Sequence, residues 1–203
     1  MRRRETPAGD IRGAWHGAGA DAEKAGAMLT PGSQGRFADP PPPELRPGRG
    51  GHCAVAGTFY RAVAPAHAAA ALSGSHRAGR YSRPGQPTLY LSASRAGVDA
   101  AMRAHTTATD PAKVVLTLRV EADGLFDLRD AEAVERVRRA AGAPFGDWQQ
   151  DLADGREPSS WRARDWIAAQ GAQGLIDPSR RAPGLWHLVL FHWNVTGAPQ
   201  VCR

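Results

Sequence analysis

The residue types in this chain that could do chemistry are arginines, tyrosines, and the acid and hydroxyl of one Asp-Pro-Ser turn. Arg61 falls in the short aromatic run TFYRAV (58–63), and Arg80 and Tyr81 fall in SGSHRAGRYSRPGQP (73–87). Tyr90 lies in TLYLS (88–92), and Asp177 and Ser179 lie in GLIDPSRR (174–181). A planar guanidinium holds phosphate or carbonyl oxygens by paired hydrogen bonds where a lysine cannot. Taken singly, each residue also has an ordinary use: Arg61 as an edge-strand arginine, Tyr90 as a half-buried core tyrosine, Ser179 as a turn residue. His187 and His192 face opposite sides of the last predicted strand, so they cannot share a metal, and both read as structural. Cys53 and Cys202 lie far apart with no CxxC, which indicates neither a zinc site nor a disulfide framework. The absence of GxGxxG, P-loop, HExxH and GxSxG patterns removes the commonest nucleotide, protease and hydrolase signatures.

The elements that must position these residues follow from periodicity. TFYRAV reads as a first strand that places Arg61 within it or at its end, and 65–72 reads as a helical turn or loop. Glycine, serine and proline make 73–87 a loop. Residues 88–92 alternate as a strand, with Tyr90 on one face and Leu89 and Leu91 on the other. Ser94 is a plausible N-cap for a helix reaching about His105, with Val98, Ala101, Met102 and His105 on one face. Residues 113–121 form the clearest strand, with Val114, Leu116, Leu118 and Val120 inward, followed by an Asp123-Gly124 turn and a returning strand 125–128. Helices are expected at 131–141, 145–152 and 161–169, the last capped by Ser159 or Ser160, with closing strands at 174–176 and 185–193. Strands and helices intermix without a βαβ rhythm, which predicts an α+β fold, a sheet core with flanking helices.

The 203 residues have room for one domain. Residues 1–50 carry the run Pro40 to Pro43 and almost no aliphatic side chains beyond Ile11, Leu29 and Leu45. They read as a disordered extension, which leaves 51–203 as the domain. The formal charge of +6 rests almost wholly on arginine, with lysine only at positions 24 and 113. The basic residues are spread rather than blocked, so the charge argues weakly for an anionic partner, and direct nucleic-acid binding is not expected. No apolar stretch follows the basic start, and the strongest apolar run, 185–193, is too short to span a bilayer. The expectation is a cytoplasmic protein with no membrane role.

In combination, FYRAVAP, GRYSRPGQPTLYLS, the helix ending near His105, and GLIDPSRRAPGLWHLVLF resemble, in that order, the RES-domain family. The resemblance spans about 58–193 and implies a fold like that of the bacterial ADP-ribosyltransferase toxins, a sheet that is mixed or antiparallel. It implies action on NAD as substrate, with no metal: cleavage of the nicotinamide–ribose bond by hydrolysis or phosphorolysis, or ADP-ribosyl transfer. It also implies neutralisation by an Xre-type helix-turn-helix antitoxin. Carried over by position, Arg61 and Arg80 are the family arginines that would hold the dinucleotide. Tyr90 is the strand tyrosine that would position the nicotinamide ribose, and Ser179 is the serine of the Pro-Ser turn. Tyr81 stands where the family usually has tryptophan, and with Tyr90 it would offer a flat surface for a ring. The family's glutamate position is Ala101 here. Asp99 is the nearest acid, but two residues along a helix is about 200°, which turns it away. Asp177 is the second candidate for a relocated carboxylate. A non-catalytic RES-like module that binds a nucleotide or a partner is the alternative.

Overall fold

A computed structural model describes residues 40–103 and 112–203, all within one compact unit spanning Asp39–Arg203. Most of the expected disordered extension, and His105, lie outside the described residues. The strands are β1 (Glu44–Pro47), β2 (His52–Val63), β3 (Leu89–Ser92), β4 (Val114–Asp127), β5 (Gly174–Pro178), β6 (Trp186–Leu190) and β7 (Gln200–Cys202). The α-helices are α1 (Arg95–Met102), α2 (Ala131–Ala141), α3 (Trp148–Ala153) and α4 (Ser159–Ala169). Two short 3-10 turns, Pro65–His67 and Ala71–Ser73, fill the segment expected to be a turn or loop. The mixed sheet with a few helices is the expected α+β class.

The sheet order is β1-β2-β3-β6-β5-β4-β7, and β2 also pairs with β4. The ladder therefore closes on itself through β2, β3, β6, β5 and β4. Only β4 and β5 run parallel; the other pairings are antiparallel. Alternation along each strand separates two cores. One face gathers Val55, Phe59, Leu89, Leu91, Leu118, Leu125, Ile176, Leu188 and Leu190, and the other packs Leu175, Val189 and Phe191 against Val137 of α2 and Ile167 of α4. At about 25 cal/mol per Å² of apolar surface, this two-sided burial is the main stabilising term.

The described residues correct several expectations. Glu44–Pro47, inside the segment read as disordered, pairs antiparallel with β2, so the ordered part starts before Gly51. Its few apolar groups suffice because an edge strand satisfies its backbone on a neighbour already in place. Asp123-Gly124 does not turn the chain. Three residues of β2, Cys53 to Val55, oppose the four from Ala122 to Leu125, and Gly124 (φ 64°) takes up the excess as a bulge in one continuous strand. Val114 is exposed at the strand's start. The strand expected over 185–193 stops at Leu190, and β7, which no periodicity announces, pairs with β4. No helix among the described residues is long and apolar enough to cross a membrane.

Candidate active site

The sheet and the loop 73–87 enclose a cleft of about 560 Å³ whose lining includes Arg61, Arg80, Tyr90, Ala101, Asp177, Ser179 and His187. Arg61 reaches it from β2. Its Nη1 donates to the Tyr90 carbonyl at 3.2 Å, where β2 and β3 otherwise pair only at Tyr60 and Ser92. Its Nε is buried with no hydrogen-bond partner among the described residues, and burial lowers its pKa.

Arg80 depends on α4 for its position. Ser160 Oγ donates to the Arg80 carbonyl at 2.6 Å, and Trp161 Nε1 donates to the Gly79 carbonyl at 2.8 Å. Arg83 ties the same loop to α4 and the segment before it, by ion pairs of 2.8 Å to Glu157 and to Asp165. Gly79 allows the close approach here, because a Cβ would sit 2.8 Å from the Tyr90 hydroxyl and 2.9 Å from Ser82 Oγ and would force them to shift. The Arg80 guanidinium lies 3.8 Å, Nε to Oδ2, from Asp177, and its Nη1 is buried without a hydrogen-bond partner among the described residues.

Asp177 is buried at the end of β5 and accepts a 2.9 Å hydrogen bond from the Tyr81 hydroxyl. Burial raises its pKa to about 6, against the opposing pull of Arg80 and the Tyr81 hydrogen bond. Tyr81 itself is fully buried and is not among the cleft-lining residues. Its ring is therefore core, and it acts on the cleft through Asp177 rather than as the flat surface expected for it; burial, then Asp177, pushes its phenol pKa well up. Tyr90 does line the cleft, but its hydroxyl is committed. It accepts from the Tyr81 amide at 3.1 Å and sits 3.0 Å from Ser82 Oγ, which donates to the Arg77 carbonyl at 3.3 Å. What Tyr90 offers the cleft is its ring. Ser179 is anchored by its amide to the Leu185 carbonyl at 2.8 Å and lines the cleft.

Ala101 lines the cleft on α1, a helix capped by Ser94 as the sequence predicts, whereas Asp99 is exposed and not part of the lining. A residue read as structural also enters the site. His187 lies opposite Asp177 on one side and Ser92 on the other in the β5–β6–β3 ladder, and its Nδ1 is 3.0 Å from Ser92 Oγ. The signal that could have found it was register: pairing β6 between β3 and β5 brings the three polar side chains into one row. His192 lies beyond the strand, exposed and bonded to Gln173.

Arg77, Lys113, Arg180 and Arg181 line the cleft as exposed cations around the two half-buried arginines, and Asp177 is the one carboxylate among its described lining residues. The arrangement suits an elongated anion, with guanidiniums available for paired hydrogen bonds. No group of three or more His, Cys, Asp or Glu that could hold a metal occurs among the described residues.

No curated protein matches the chain. Among solved structures, it is similar to the crystal structure of the M. tuberculosis MbcT–MbcA toxin–antitoxin complex, at 21% identity with a TM-score of 0.41, covering 73% of this chain and 82% of that one. The family model for the RES domain matches residues 58–203. That span takes in Arg61, Arg80, Tyr90, Asp177 and Ser179, and the chain belongs to the RES domain family.

Proposed function

We propose that this chain is a RES-type toxin that consumes NAD by breaking its nicotinamide–ribose bond, and that it works in the cytoplasm under the control of an Xre-type antitoxin. The observation that carries the reading is the pair of half-buried arginines, Arg61 and Arg80, each with a guanidinium nitrogen lacking a partner, beside a buried carboxylate in one cleft. An unpaired buried donor is costly, and a pyrophosphate in the cleft that both side chains line is the kind of anion guanidiniums hold by paired hydrogen bonds. Tyr90 would place the nicotinamide ribose with its ring, and Ser179 would supply a hydrogen bond at the rim.

Breaking the bond sends its electron pair to nicotinamide and leaves positive charge on the ribose, which a carboxylate stabilises. With Ala101 at the family's glutamate position, Asp177 takes that part in our reading. An ADP-ribosyltransferase-like fold, as the family resemblance implies, belongs to the same proposal.

The test is incubation of the full chain with NAD, with and without phosphate, and chromatography of the products. Free ADP-ribose would mean hydrolysis, a phosphorylated ADP-ribose phosphorolysis, and label retained on protein ADP-ribosyl transfer. Intact NAD under every condition would refute the enzymatic reading. Ala101 on the cleft wall specifically favours a second reading, a RES-like module that binds a nucleotide or a partner without turning it over. It predicts NAD binding with no nicotinamide release.

A further inference from the structure

The row formed by Ser92, His187 and Asp177 has no part in the reading above beyond its carboxylate. In-register pairing places each residue directly opposite the next, and directly opposed residues project from the same face of a sheet. All three line the cleft. Ser92 Oγ engages His187 Nδ1, and Nε2 makes no hydrogen bond among the described residues. With the proton on Nδ1 donated to Ser92 Oγ, Nε2 carries the lone pair of a base.

We propose that His187 is the general base that takes a proton from the attacking water, and that Ser92 is the positioning residue that fixes its tautomer. This rests on the NAD-cleaving reading and narrows it to hydrolysis. The groups packed around the imidazole are Ser92 from β3, Asp177 from β5 and Arg80 from the loop. Burial, with Arg80 adding to it, lowers the His187 pKa, so the ring is neutral at pH 7 with its lone pair free, and the same surroundings make the imidazolium formed in the step short-lived. In the step, one O–H bond of water breaks and its proton passes to Nε2. The water oxygen bonds to C1′ of the nicotinamide ribose, the C1′–N1 bond breaks, and its electron pair stays on nicotinamide. The imidazolium then returns its proton to solvent, so NAD and water give ADP-ribose, nicotinamide and one proton.

The experiment compares nicotinamide release and NAD affinity in the full-length protein and in His187→Asn, whose amide can keep the Ser92 contact while removing Nε2. Azide serves as a nucleophile that needs no base. The expected result is hydrolysis slowed by about 100-fold or more, NAD affinity unchanged, and cleavage restored by azide. Ser92→Ala is expected to lower kcat several-fold at constant KM.

Hydrolysis within threefold of wild type, loss of NAD affinity along with activity, or failure of azide to rescue would overturn the assignment of His187 while leaving NAD cleavage standing. A wild-type protein that releases no nicotinamide, even with azide, would remove the NAD-cleaving reading and this one with it. Should His187→Asn fail to melt cooperatively, His187→Gln replaces it under the same criteria.

Discussion

Arg80 and Asp177 face each other across the cleft wall with Nε and Oδ2 3.8 Å apart, while the next residue in the loop, Tyr81, donates to the other carboxylate oxygen at 2.9 Å. One buried acid thus anchors two consecutive residues of the loop 73–87 to the end of β5. The contact leaves Arg80 Nη1 unused, so the pairing orients the guanidinium without exhausting its donors.

Asp177 carries a pH signature in stability. Its folded pKa of about 6 lies above the ordinary 3.8, so between those values the folded protein holds the proton more tightly than the unfolded chain. Stability from this group is therefore greatest at low pH and declines as pH rises from about 4 to 6, levelling above. Urea titrations at pH 5 and 7.5 should show Asp177→Asn gaining on the order of 1 kcal/mol relative to wild type over that interval. An unchanged difference between the two proteins would place the carboxyl in a less buried setting.

Replacing Arg80 separates charge from geometry. Arg80→Lys keeps a cation but loses the planar fork, and NAD affinity measured by calorimetry should fall about tenfold, with Arg80→Ala falling further. Equal affinity in the lysine variant and wild type would mean that only net charge matters.

Ser160 is fully buried and holds the Arg80 carbonyl. Ser160→Ala strands that acceptor, at a cost of about 1–2 kcal/mol, seen as a melting temperature lower by roughly 2–8 °C. KM for NAD should rise as the loop loosens, with kcat less affected. A variant with wild-type melting and KM would show that Trp161 and Arg83 hold the loop without it.

Ala101→Glu returns a carboxylate to the cleft wall. Nicotinamide release should rise at least tenfold if a second acid can share the developing charge. A variant no faster than wild type would mean that a carboxylate at position 101 does not reach the developing charge.

The architecture was largely legible because alternation and capping are local. Tyr90 between Leu89 and Leu91, and Ser94 capping α1, follow from a few adjacent residues. Of the candidate site, the order of the motifs singled out Arg61 and Arg80, and both line the cleft. The burial of Tyr81 and the alignment of His187 with Ser92 and Asp177 depend on strand order, which brings residues far apart in sequence into contact, and no local pattern encodes that. β1 and β7 were missed for a related reason. Each is short and has little pattern of its own, and it exists because a long neighbouring strand offers it a ladder.

The most direct measurement is the rate of nicotinamide release from NAD by the full chain beside its Arg61→Ala and Arg80→Ala variants. Wild type is expected to release nicotinamide steadily, with a loss of about 100-fold or more in each variant. Release that survives both substitutions, or none from wild type, would contradict the claim that this cleft cleaves NAD.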